Sequence, residues 1–99
     1  MKILMDLHTH TLVSGHAYST IREMAQAAAE KELKVLGITE HGPGIPGTVD
    51  PFYYTNLSAI PRELFGVTIL NGCEVNLLDE GALSLEEKYM SRLDYAIVG

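Results

Sequence analysis

The sequence predicts an α/β fold built on a parallel sheet, and three observations predict it. Short apolar runs suited to strands alternate with stretches of helical period about three and a half times along the 99 residues. That order, strand then helix, implies parallel strands joined by right-handed crossovers. In addition, His8, His10, His41 and Glu74 each fall at the C-terminal end of a strand, the edge where barrels and open α/β sheets alike build their active sites.

Ile3 to Leu7 reads as the first strand, closed by His8, Thr9 and His10. From Thr20 the period changes. Thr20 and Glu23 have the capping-box spacing, and Ile21, Met24, Ala25 and Ala28 recur on one helical face, so a helix runs to about Glu32. Val35 to Thr39 is a continuous apolar run with β-branched Val35, Ile38 and Thr39, as expected of a strand buried on both faces. Three prolines and three glycines between Gly42 and Pro51 rule out regular structure and mark a loop directly after His41. Tyr53, Leu57 and Ile60 give Phe52 to Leu64 a helical spacing, with Pro61 interrupting it or beginning a second short turn. Val67 to Val75 is the third strand, carrying Glu74 at its far end, and Asp79-Glu80-Gly81 reads as a tight turn. Ser84 and Glu87 repeat the capping-box spacing ahead of Leu85, Tyr89 and Leu93 on one helix, and Tyr95 to Val98 begins a fourth strand.

A hydrophobic fraction of 46% with 20% charged residues fits one small packed domain. The net charge of -6 argues against direct binding of nucleic acid, which is met with clustered Lys and Arg, and suits a site that collects divalent cations. No apolar stretch approaches the roughly 20 residues needed to cross a bilayer, and Asp6 and His8 break any leader-like apolar run, so a cytoplasmic location is expected. The single Cys73 excludes an internal disulfide; beside Glu74 in a strand it should face the other way, as a packed thiol rather than a ligand.

Side chains alternate along a strand, so His8 and His10 point the same way, as two ligands of one ion must. A lone histidine is usually a surface or hydrogen-bonding residue, but His-x-His at one strand end, His41 at the next and Glu74 at the third all point at one rim. Clustered imidazole and carboxylate ligands of this kind suit Zn, Mn or Fe. His16 lies in the loop ahead of the first helix, where Gly15 could let the chain fold back over the rim. Asp6, on the same face one step deeper, suits either a carboxylate holding an imidazole or a buried Asp bonded to backbone. Glu40 and His41 face opposite ways; we place His41 inward and give Glu40 a structural or outer role. Tyr18 and Ser19 could contact a substrate phosphate, but helix capping by Ser19 and packing by Tyr18 are favoured.

Asp6-Leu7-His8-Thr9-His10, His16-Ala17-Tyr18-Ser19-Thr20, Ile38-Thr39-Glu40-His41-Gly42-Pro43 and Gly72-Cys73-Glu74-Val75-Asn76 resemble the opening motifs of the PHP family, the polymerase and histidinol phosphatase family, and particularly its small stand-alone phosphoesterases. The resemblance runs the length of the chain. It implies the N-terminal part, about three and a half βα units, of a distorted (βα)7 TIM-like barrel with up to three metal ions, zinc or manganese, at its C-terminal rim. It also implies that His8, His10, His16, His41 and Glu74 are ligands, with Glu74 bridging two metals. The implied activity is hydrolysis of small phosphate monoesters by metal-activated hydroxide.

The family's later ligands, a histidine soon after the fourth strand and further His and Asp residues, have no counterpart before Gly99. Residues 1–99 are therefore expected to be a partial domain truncated after the fourth strand. One site built from His8, His10 and Glu74 should still hold a metal and His16 with His41 a weaker one, while hydrolysis should be poor, with no evident leaving-group acid. Unpaired strand edges and an uncovered apolar face imply association with another copy or with the missing C-terminal part. Two other readings compete: an amidohydrolase-type metal hydrolase, which also places His-x-His after its first barrel strand, and a non-catalytic metal-binding or assembly module.

Overall fold

In a computed structural model, residues 4–43, 46, 48–77, 81 and 83–98 are described. The expected turn residues Asp79 and Glu80, Ile3 at the start of the first strand, and part of the loop after His41 lie outside them. The described elements are β1 (Met5–Thr9), α1 (Ile21–Glu30), β2 (Val35–His41), β3 (Glu63–Leu64), β4 (Val67–Val75), α2 (Glu87–Met90) and β5 (Tyr95–Val98).

The fold is mixed α/β. β1, β2, β4 and β5 pair in that order, all parallel, and the short β3 adds an antiparallel hairpin to the start of β4. Its two-residue turn has positive φ at both Phe65 (54°) and Gly66 (79°), the primed geometry whose twist suits a tight hairpin.

Helix α1 starts where the sequence places it. The Thr20 side chain accepts from the Glu23 amide and the Glu23 carboxylate accepts from the Thr20 amide, which satisfies two otherwise orphaned donors. Buried Ala25 and Ala28 let the helix settle closely on Leu36, Ile38, Val67 and Ile69 of the sheet. A second core of Val49, Tyr54, Leu57, Cys73, Val75 and Leu85 lies further along β4. Strand β2 is buried from Leu36 through Glu40. Its alternation sends Leu36 and Ile38 to the α1 side and leaves Gly37, Thr39 and His41 for the other face.

The sheet curls. Tyr95 on β5 reaches across the face that carries Gly72 of β4 and Gly37 of β2, and its phenol donates to the carbonyl of Leu7 on β1 at 2.6 Å. A Cβ at Gly37 would collide with the Tyr95 hydroxyl, and one at Gly72 would lie 3.0 Å from the ring, so both glycines make room for this crossing. β1 holds one extra residue between Asp6, paired with Leu36, and Thr9, paired with Ile38. Hydroxyls fill the resulting gap in the ladder: Thr9 Oγ1 donates to Gly37 O (2.7 Å) and Thr39 Oγ1 to Thr9 O (3.1 Å).

Two expected helix features are corrected. Phe52 to Leu64 is not a helix but two 3-10 turns, Pro51–Thr55 and Leu57–Ala59, followed by β3. Asp50 caps the first turn through the Phe52 amide and Pro51 occupies its first position, whereas Asn56 contributes no side-chain cap to the second and Pro61 cannot continue it. Ser84 does not cap α2. Its hydroxyl accepts from the Asn76 amide (2.9 Å), and the helix is one turn starting after Glu86.

Candidate metal centre

Three parallel strand ends bring His8, His10 and His41 to Glu74, and one loop adds His16 beside His10 and His41. His41 ends β2 and stands beside Glu74 of β4 in the parallel register; His8 is the next-to-last residue of β1 and His10 lies just beyond its end. His8 Nε2 approaches Glu74 Oε1 to 2.6 Å and His10 Nε2 approaches the same oxygen to 3.2 Å. His41 Nδ1 lies 3.6 Å from Glu74 Oε2. The His10 and His41 rings stack with centroids 4.5 Å apart, and the His16 ring lies 4.2 Å from that of His41. His16 Nε2 is 3.0 Å from the carbonyl oxygen of Pro46, which with that nitrogen protonated makes a hydrogen bond from ring to loop.

The electrostatics follow from this crowding. Burial pushes the Glu74 carboxyl up, but the His8 hydrogen bond and the nearby His41, His8 and His10 together outweigh it, and the net direction is down. For His41, burial is the largest influence and lowers the imidazole; Glu74 opposes it, while His10, His16 and His8 add to it, so the ring is held below its ordinary value. Both directions, His41 towards neutral imidazole and Glu74 towards ionised carboxylate, are the forms in which these two groups bind a metal.

The donor set fits a divalent cation on two observations. His8, His10 and Glu74 each offer an atom within 4.8 Å of the others. His10 Nδ1 and His41 Nδ1 are buried with no hydrogen-bond partner, although buried polar atoms are normally satisfied. A group of nitrogen and carboxylate donors with orphaned imidazole atoms suits a divalent cation.

Other expected residues take different places. Asp6 Oδ1 accepts from the backbone amide of His8 (3.2 Å) rather than holding an imidazole, and it is exposed rather than buried. The extra residue in β1 breaks the strict alternation that set Asp6 beneath His8. Tyr18 does not pack: it is 99% exposed, because the loop turns it outward ahead of the helix. Ser19 is not the cap, a role taken by Thr20; its carbonyl instead accepts from the Leu12 amide. Cys73 is fully buried against Tyr54 and Val75, and burial pushes its thiol up. Tyr95, Thr9 and Thr39 support the rim without having been singled out. The glycines at 37 and 72, unusual inside buried strands, were the available signal.

The model of the PHP domain family matches residues 6–98. Over 98 residues the chain is 46% identical to a probable phosphatase of Clostridium acetobutylicum, 49% to one of Clostridium botulinum and 50% to one of Clostridium novyi. Each alignment covers 98% of this chain and 40% of the relative, so the chain spans about two fifths of the length of the curated relatives it matches. A family match along nearly the whole chain, spanning the strand ends that hold His8, His10, His41 and Glu74, shows that the chain belongs to the PHP domain family.

Proposed function

We propose that this chain supplies part of the active site of a metal-dependent hydrolase of small phosphate monoesters. The observation that carries the reading is the convergence of His8 Nε2 and His10 Nε2 on Glu74 Oε1 at the C-terminal rim of a parallel sheet. The names of the relatives, probable phosphatases, support phosphate esters as the substrate class.

In this reading His8, His10 and Glu74 would hold one divalent cation, zinc or manganese, and His41 and His16 would contribute to a second, with Glu74 as a shared ligand. Cations bound there would supply positive charge for the phosphoryl oxygens and lower the pKa of water. The chain's own part is to hold the His41 imidazole and the Glu74 carboxyl below their ordinary values, and to fix the His8 backbone through Asp6. Tyr18, wholly exposed two residues after His16, is free of packing contacts and is assigned to the substrate in this reading. The rest of the reading is a (βα)7 barrel with up to three cations in a protein of the relatives' length, in the cytoplasm, where the free Cys73 stays reduced.

Leu4 just before β1, Met5 and Leu7 on β1 and Val98 on β5 are exposed at 47%, 50%, 39% and 57%, a supporting observation for strands or helices from elsewhere covering both ends of the sheet. The functional test is substrate profiling of the zinc- or manganese-loaded chain. Slow turnover of phosphate monoesters and none of amides or deaminable bases is expected. Amide hydrolysis exceeding ester hydrolysis would replace this reading with an amidohydrolase one, and turnover at ordinary enzyme rates would contradict an incomplete site.

A further inference from the structure

Glu40 is a carboxylate with 0% exposure, one residue before His41 and on the same side of β2 as the core residues Leu36 and Ile38. Alternation therefore turns it away from the histidine rim, and it cannot reach a substrate or a cation there. Its oxygens are nevertheless fully engaged. Oε1 accepts from the Thr11 amide (3.0 Å) and from the Ser14 hydroxyl (2.8 Å). Oε2 accepts from the Thr11 hydroxyl, and the Thr11 amide also lies 3.2 Å from it. The Thr11 hydroxyl in turn accepts from the Val13 amide, and the Tyr54 phenol donates to the Glu40 carbonyl (3.2 Å).

The donors identify what this carboxylate does. Thr11 follows His10 and Ser14 precedes His16 by two residues, so one buried side chain grips the segment that carries two of the five candidate ligands, while its own backbone carries a third, His41. Among the described residues no Lys, Arg or His forms an ion pair with it, and its side-chain partners are the hydrogen-bonding groups of Thr11 and Ser14. A buried carboxylate without a cation is expensive to keep unless its hydrogen bonds are complete. An apolar residue of similar size would pack this position more cheaply, but it could not hold the loop.

We infer that Glu40 is a positioning residue for the metal centre: its carboxylate fixes the loop from Thr11 to Ser14 so that His10 and His16 are set before a cation arrives. The inference rests on the reading that the rim binds divalent cations. It assigns to Glu40 an effect on affinity that acts through other residues, as partners of ligand-bearing segments commonly have.

The test compares zinc titrations of the chain with those of Glu40→Gln and Ser14→Ala, alongside the visible spectrum of the cobalt-loaded forms and the thermal unfolding of the metal-free forms. Glu40→Gln keeps the shape but turns one acceptor into a donor, leaving a loop N–H or O–H unmatched. Zinc affinity should fall about 10- to 100-fold with an altered cobalt spectrum, while metal-free unfolding stays cooperative. Ser14→Ala removes one donor only and should weaken zinc less, in the same direction, which keeps the inference testable if Glu40→Gln does not fold. Parental zinc affinity and cobalt spectra in a folded variant, with only the melting temperature lowered, would overturn it and leave Glu40 merely structural. A parent chain that binds neither zinc nor cobalt would overturn the metal reading itself.

Discussion

The phenol of Tyr95 donates to the carbonyl of Leu7 at 2.6 Å, tying β5 to β1 across two intervening strands and one residue before His8. The carbonyl is free to accept because the extra residue in β1 interrupts its ladder with β2. The same bond thus fixes the curl of the sheet and the peptide that leads into a candidate ligand. Burial pushes the Tyr95 phenol up to about 12, so it stays protonated and able to donate at neutral pH.

Tyr95→Phe should therefore destabilise the chain by about 1 kcal/mol, the usual net value of one hydrogen bond. Gly37→Ala should cost more, about 1–3 kcal/mol, because its methyl group collides with the Tyr95 hydroxyl and with the Leu7 backbone behind it. Urea unfolding of both variants checks this. Equal stability of Gly37→Ala and the parent chain would mean that the crossing is not formed.

Acid should weaken the metal-free chain earlier than its carboxylates alone would allow. Folded His41 sits below its ordinary 6.5, so as pH falls below that value the unfolded chain takes up protons that the folded chain refuses, and stability declines. Glu74 acts in the same direction lower down: its folded carboxyl lies below 4.5, so its contribution is present above that value and lost as pH falls through the folded pKa. The urea midpoint should begin to drop below about pH 6.5. In His41→Gln the first part of that decline should disappear. A parent midpoint that stays flat until the carboxylate range would show that His41 is not held neutral.

Cys73 should behave as a core thiol. It is fully buried, its pKa is raised by burial first, and a Cβ at Gly42 would lie only 3.2 Å from its sulfur. Alkylation by iodoacetamide should be slow in the native chain, fast in urea, and little changed by a chelator. Rapid native labelling would instead show an accessible thiol, and labelling released by chelation would make it a ligand.

Much of the fold is legible in local signals. Thr20 with Glu23 and the alanine face of α1 announce a capped helix, and the apolar run from Val35 marks a buried strand. These hold because sequence neighbours alone decide them. The helix expected from Phe52 to Leu64 fails because short turns bury Leu57 together with Tyr54, which lies off the expected apolar face, and leave Tyr53 and Ile60 partly buried, with Pro51 and Pro61 closing each end. Ser84 is drawn from its expected capping role by the Asn76 amide, a partner eight residues away that spacing does not reveal.

The candidate site divides along the same line. Period-two alternation and strand-end placement lead to His8, His10, His41 and Glu74, because those positions follow from the strands themselves. The supports were hidden because they are long-range. Glu40 meets Thr11 and Ser14 across a loop, Tyr95 meets Leu7 across the sheet, and the extra residue in β1 moves Asp6 off the alternation.

The central claim is that His8, His10 and Glu74 share a divalent cation, and anomalous diffraction at the zinc edge from crystals of the chain grown with zinc tests it most directly. The account predicts a peak within coordination distance of His8 Nε2, His10 Nε2 and a Glu74 carboxylate oxygen, at about 2.0–2.2 Å from each, lost in Glu74→Ala. A fully zinc-exposed crystal with no peak among these three side chains, or with His8 still bonded to Glu74 and zinc only elsewhere, would contradict it.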